Sequence, residues 1–453
     1  MIGYLKRLSI HHLVSPFGLA VLSYLVFLFA WLFPPGLYTD YVHEPDLMYL
    51  DPETLLFYTA CVAAFLFGAR FSRFLGASVP RGPEPQISAR NPLLYLLTPL
   101  VTGMLLCTIA LILVGQKINF VALLATQQGD AIKLAREVGQ LQAGRWERAI
   151  PALTGVLWWS YFRASQLKID GTAKTIFRLV FLLGLGVGIA TCMSTVDRPT
   201  LMPIILGTLV VYLFRKTRLS SVRVLKLALT GVLSMAGIIG AFLFVSFLRG
   251  AVIIRVLVTG LLGYSIVSYN RMAALLAGTM HYAYQGRGVY LSRYLQQDQV
   301  INNFFHLADR FGWPDALGLW QTEFSSTMAA GLNPAYIWAG TFGYIYSDLG
   351  WWAPLYLGVI GVIAGFLWSQ FNACNTFGIV LYPWMGFSVL AWFGPNFVFS
   401  NDLVRLLEFA MVLYIYDRKF LRQESRANRM PAATDHMGSF IEPVTSGFAE
   451  GMF

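Results

Sequence analysis

The chain has 453 residues, 57% of them hydrophobic and only 12% charged, with a net charge of +10. Soluble globular chains are about 25% charged, so an ordinary soluble fold is excluded. The excess of basic residues sits in short loops between apolar blocks, so it reads as a membrane-topology signal and not as a nucleic-acid-binding surface.

Ten apolar blocks are centred near Val26, Ala63, Leu105, Leu157, Gly186, Leu206, Gly237, Gly361, Phe387 and Phe409. Each is long enough to cross the hydrocarbon as a helix of about 20 residues. The expected fold is an all-α polytopic bundle of about ten spans. No cleavable signal pattern precedes the first block, which is read as a retained span. Residues 35–53 follow as an acidic, aromatic loop. Residues 116–149 contain "DAIKLAREVGQLQ", where Leu134, Val138 and Leu141 recur at helical spacing and predict a helix lying in the membrane interface. "MSTVDRPTLM" is a tight hairpin between the fifth and sixth spans, and "RKTRLSSVRVLK" is a basic connector after the sixth. Residues 249–350 form the largest external segment. Within it "VLVTGLLGYSIVSYN" is apolar but short and glycine-broken, the pattern of a re-entrant or interfacial helix.

Charge sets the orientation. The loops 70–91, 163–178, 215–226 and 371–376, with Lys6, Arg7 and the tail from Asp417, carry 20 Lys+Arg against 7 Asp+Glu. The loops on the other side carry 12 against 14, so the first set is cytoplasmic and both termini lie inside. Residues 1–429 form one integral membrane domain that includes the external loops 116–149 and 249–350. The tail 430–453 lacks periodicity and is expected to be disordered. Cys61, Cys107, Cys192 and Cys374 offer no external disulfide pair and no CxxC metal motif.

Phosphate-loop, HExxH and GxSxG motifs are absent. "GLGVGIA" lies inside a span, where Gly184 and Gly188 suit close helix packing. The chemistry-bearing residues are arginines near the external boundary: Arg198 in the hairpin, Arg249 and Arg255 at the end of the seventh span, and Arg136 on the interfacial helix. Arginine at that depth needs a partner or a polar cavity, and its planar fork suits bidentate grip on phosphate. Snorkelling to lipid headgroups is the plainer account. Asp348 in "YSDLGWW", Glu323 in "WQTEFSST" and His281 in "TMHYAYQGRG" are candidate bases. Helix capping, a salt bridge and polar surface are their respective plainer roles. Tyr264, Tyr269, Tyr282, Tyr284, Trp313, Trp320 and Trp338 crowd the same segment, as an interface belt or as stacking platforms for sugars.

The run "NPAYIWAGTFGYIYSDLGWWAPLYLGVIGVIAGFLW" resembles the late signature of bacterial O-antigen polymerases, the oligosaccharide repeat-unit polymerases. In that family an Asn-containing external segment leads to an Asp-x-Gly turn and a glycine-rich span. Here the turn is Asp348, Leu349, Gly350. "STVDRPTLM" resembles the family's mid-chain Ser/Thr-x-x-Arg turn, "LAREVGQ" its arginine-bearing loop, and "LGYSIVSYNRMAALLAGTMHYAYQGRGVYLSRYL" its external stretch. Together these cover about 200 residues.

The resemblance implies a GT-C-type membrane glycosyltransferase of lipopolysaccharide biosynthesis. It would sit in the bacterial inner membrane with its active site facing the periplasm. Its donor and acceptor would be undecaprenyl-pyrophosphate-linked oligosaccharides, with a chain-length regulator as a further partner. Arg136, Arg198, Arg249 and Arg255 would bind pyrophosphate. Glu323, Asp348 or His281 would take the acceptor proton. Tyr264, Tyr282 and Asn333 would contact glycan. No cofactor and no metal are expected. An O-antigen ligase, using His281 or His306, and a lipid-linked oligosaccharide transporter are the alternatives.

Overall fold

The computed structural model describes residues 12–42, 44, 48–72, 74, 91–116, 146, 149–194, 198–219, 240, 263–291, 304–314, 316–334, 336–398 and 400–427. Among these the regular structure is helical, with no strands. The helices are α1 (Pro16–Trp31), α2 (Pro35–Val42), α3 (Pro52–Phe71), α4 (Pro92–Gly115), α5 (Ala149–Gln166), α6 (Gly171–Ser194), α7 (Arg198–Leu219), α8 (Ser268–Leu276), α9 (Leu307–Phe311), α10 (Ala316–Ala329), α11 (Gly340–Leu349), α12 (Ala353–Asn372), α13 (Thr376–Leu390) and α14 (Asn401–Ala427). A π turn, Gly263–Val267, leads into α8, and a 3₁₀ turn, Gly350–Trp352, joins α11 to α12.

Nine of the ten apolar blocks fall on these helices; the block near Gly237 lies outside the described residues. Four segments are long and apolar enough to cross a bilayer: Pro52–Phe71, Pro92–Gly115, Gly171–Met193 and Gly340–Asn372. α1, the Leu201–Arg215 part of α7, and α13 are apolar but shorter. The described residues therefore include apolar helices of a membrane protein, with four segments of full spanning length among them. Large apolar side chains cover their outer faces, among them Phe29, Phe67, Leu105, Leu182 and Leu355. In water such a surface would drive association; against lipid it is neutral.

Three helices begin with one device. Ser15, Asp51 and Asn91 each precede a proline, and each side chain accepts a backbone N–H three residues on, from Gly18, Thr54 and Leu94. The cap satisfies an orphan donor, and the proline has no N–H to leave unpaired.

α5 and α13 form the centre. Both are buried around nearly their whole circumference, and α13 packs against α1, α5, α7, α12 and α14. The most extensive contact is between α3 and α12, which run parallel. A Cβ on Gly361 would stand 2.0 Å from the Phe65 carbonyl oxygen, and one on Gly68 would stand 1.9 Å from that of Gly358. Only glycine permits such backbone approach, the small-residue packing expected where lipid supplies no hydrophobic drive. Gly184 and Gly188 on α6 also sit at a helix contact, but against side chains: Leu100, Met104 and Leu157 for the first, Ile204 and Leu153 for the second.

One end of the bundle is closed by a buried ion pair. Arg163, in the last turn of α5, meets Asp417 of α14 at 2.7 Å. Arg163 also donates to Gln166, to the Cys374 carbonyl and to Thr376. Asp417 accepts from Tyr95, Trp159 and Thr376 as well. Four helices, α4, α5, α13 and α14, are tied at this point. Two polar atoms of the cluster, Arg163 Nε and Gln166 Nε2, are buried without a hydrogen-bond partner.

Candidate functional site

At the opposite end a second polar cluster organises non-helical chain. Arg271 on α8 is fully buried and pairs through both terminal nitrogens with Glu44. Its Nε donates to the Tyr336 carbonyl at 3.0 Å, and its remaining bonds go to the Tyr38 hydroxyl at 3.2 Å and the Asn333 carbonyl at 3.0 Å. All five donors of the guanidinium are thus used. Tyr38 on α2 donates to Glu44 and accepts from the Asn270 amide at 2.9 Å. Burial pushes the Tyr38 phenol well above its ordinary range; Arg271 pulls it down and Glu44 pushes it up. It therefore stays protonated and able to donate. The Asn333 backbone N–H also reaches Glu44, and its side chain donates to the Val42 carbonyl at 3.0 Å. Tyr38, Val42 and Glu44 are thus fastened to Asn333 and Tyr336 across Arg271 of α8.

Part of this unit lies at bilayer depth. Tyr269 of α8 packs edge-on against Phe27 and Tyr58, more than one turn inside α1 and α3. Phe342, at the start of α11, meets Tyr58 at 4.5 Å and Trp392 at 4.9 Å. The segment "LGYSIVSYN", read from sequence as re-entrant or interfacial, is therefore packed between spans where described. The loop 391–398 joining α13 to α14 is buried as well, apart from the half-buried Phe393. Its exposed backbone groups are met by protein. Thr341 donates from its N–H to Trp392 and from its hydroxyl to Gly394 and Pro395, and Trp384 donates to Phe397. Irregular backbone at membrane depth is tolerated under that condition.

Asp348 ends α11 as a clamp. Its two oxygens accept the N–H groups of Gly288 at 3.0 Å, Tyr290 at 2.7 Å and Leu291 at 2.8 Å. The turn 283–291 is held on α11 by these bonds and by Gly286 N–H to the Ser347 carbonyl. Beneath them Tyr282, Tyr290 and Tyr344 stack with centroids 4.9 to 5.9 Å apart. The Tyr282 hydroxyl donates to the Ile337 carbonyl at 3.1 Å. Glu323 on α10 is fully buried in the same unit, one turn before Thr327, which leans on Met280. His281 is exposed beside the tyrosine stack.

Of the residues singled out in the sequence, Tyr282, Asn333, Asp348, Glu323 and His281 thus fall in one unit. The first three are engaged in holding chain. Arg136, Arg249 and Arg255 lie outside the described residues. Arg198 opens α7, and Tyr264 lies in the π turn, where Gly263 packs on the Tyr336 ring; only their backbones are described. α6 begins just after the Arg163 end of α5, so the start of α7 at Arg198 lies at the same end of the bundle as Asp348. Sequence reasoning missed Glu44, Arg271 and Asn270. Their available signal was an arginine leading directly into the apolar run "MAALL". Among the described residues no group of three or more His, Cys, Asp or Glu is placed to hold a metal. All four cysteines are buried thiols outside any disulfide. No protein-family model, no curated protein and no solved structure matches the chain.

Proposed function

We propose that this protein is an inner-membrane glycosyltransferase that polymerises undecaprenyl-pyrophosphate-linked oligosaccharide repeat units. It has about ten spans and cytoplasmic termini, and it works on the periplasmic face. The observation that supports this reading is the placement of "NPAYIWAGTFGYIYSDLG". This stretch carries the resemblance, begins non-helical, and is fastened by Glu44, Arg271 and Asp348 at one end of the bundle, opposite the basic end. The growing glycan on its lipid is the donor, and a hydroxyl of the next lipid-linked unit attacks its C1. Pyrophosphate leaves with the carrier lipid. Arg198, Arg249 and Arg255 stabilise the charge that develops on it, and Arg136 holds the second lipid.

Because Asp348 is occupied by three amides, its role in this reading is to shape the turn beside the exposed His281. Glu323 and His281 remain the groups to test as acceptor of the proton. The test is a gel of products from purified protein given a lipid-linked repeat unit of the native host. A ladder of lipid-linked oligomers with the wild type, absent with Arg198→Ala, supports the assignment. Unaltered substrate with folded wild type removes it.

A further inference from the structure

Three hydroxyls meet at bilayer depth beside the start of α8. Ser23 of α1, Tyr58 of α3 and Tyr269 of α8 are each 1% exposed or less. Ser23 lies eight residues from the Trp31 end of α1 and Tyr58 six from the Pro52 start of α3, about 9–12 Å along either helix at 1.5 Å per residue. Phe27, one turn after Ser23, lies flat on the Tyr58 ring at 3.8 Å, and the Tyr269 ring stands across both at 5.2 and 5.5 Å. The three hydroxyls lie close enough to act on one another. None of them makes a hydrogen bond of ordinary length and angle.

Other hydroxyls of the bundle are satisfied by protein. Thr98, Thr102, Thr154 and Ser388 each donate to the carbonyl four residues back in their own helix, the ordinary outlet for such a side chain. Tyr95 donates to Asp417 and Tyr382 to the Val14 carbonyl. Ser23 is turned instead toward the two tyrosines. Hydrocarbon offers no partner at that depth, and a buried hydroxyl without one is costly. We propose that Ser23, Tyr58 and Tyr269 hold one water molecule between them. A hydroxyl can donate or accept, and a buried water typically makes about three bonds to such groups. An ion fits less well, because none of the three side chains carries a charge to offset its lost hydration. The water joins α8 to α1 and α3 inside the bundle. Asn270 and Arg271, the next two residues, fasten the same helix to the chain outside it. The site is independent of the proposed reaction.

The test is X-ray radiolytic labelling of the full-length protein in liposomes. A short pulse splits bound water where it sits, the hydroxyl radical oxidises the nearest ring, and mass spectrometry locates the oxidised residue. Tyr382 is the internal control, since it is equally buried and its hydroxyl is bonded to protein. Oxidation of Tyr58 and Tyr269 well above that of Tyr382 is expected in the wild type. Ser23→Val puts a methyl where the hydroxyl stood and is expected to bring both down to the Tyr382 level. Tyr269→Phe is expected to do the same for Tyr58. A variant that has lost its fold also labels Tyr382, and the wild type with the other variant then decides. Wild-type oxidation of Tyr58 and Tyr269 no greater than that of Tyr382 overturns the proposal and leaves the hydroxyls paired directly. Labelling that survives in the folded variants overturns it equally. Unfolding temperatures in sodium, potassium and choline chloride are expected to coincide; a rise in one alkali salt would assign the hydroxyls to a cation and remove the water.

Discussion

The two buried ion pairs close opposite ends of the bundle by different means. Arg163–Asp417 joins mainly helix to helix: apart from the Cys374 carbonyl, its partners come from α4, α5, α13 and α14. Glu44–Arg271 joins helix to irregular chain, and three of its bonds end on the backbone of Asn333 and Tyr336. Helices satisfy their own backbone groups, so the first pair chiefly fixes their positions and meets a single loop carbonyl, that of Cys374. The described residues of 333–339 have no helical bonds of their own and are buried or half-buried. The second cluster is therefore the reason that segment can exist where it does. The full use of Arg271 and the unpaired Nε of Arg163 fit this difference.

The largest expected effects come from removing one partner of either pair. Glu44→Ala and Asp417→Ala should each cost about 3–5 kcal/mol in thermal unfolding, because each leaves a buried arginine unpaired. Hydrogen exchange then separates them: Glu44→Ala should expose the amides of 333–339, and Asp417→Ala should leave them protected. Equal protection in both variants would break the distinction drawn above. Replacing both Glu44 and Arg271 by Leu and Met should destabilise less than Glu44→Ala alone, since no charge is stranded.

Lysine substitutions come next. Arg271→Lys should cost more than Arg163→Lys, because three ammonium donors replace five used ones in the first case. Each lost charge-assisted bond is worth about 1.5–3 kcal/mol. Asp348→Asn should cost about 1–3 kcal/mol, because an amide oxygen cannot take over three N–H donors. Faster exchange at Tyr290 and Leu291 would report it. Tyr282→Phe is the smallest, about 1 kcal/mol for one neutral hydrogen bond, and it should leave the tyrosine stack intact.

The helices were legible because each apolar block is continuous in sequence. Their lengths were less so. α1 and α13 fall short of a full span, and α13 ends in a loop held by Thr341 from another helix and by Trp384 one turn and more before it, links that composition does not show. The segment around Asp348 stood out by its polarity and turn residues. Its clamp did not, because Asp348 is satisfied by amides, which every residue but proline carries. Glu44 and Arg271 were hidden for a plainer reason: 227 positions separate them. Each looked like an ordinary loop charge until the fold brought the two together.

The glycine contact between α3 and α12 also bears on how the protein is made. Gly68 and Gly361 belong to segments that leave the ribosome far apart in time. At about 5–20 residues per second the interval is roughly 15–60 s. Throughout it, the α3 face on which a Cβ at Gly68 would stand 1.9 Å from the Gly358 carbonyl oxygen has only lipid or another early helix beside it. A bulky residue at Gly68 would therefore act first on biogenesis. It would lower the yield of inserted protein before any purified sample existed in which a melting temperature could be compared.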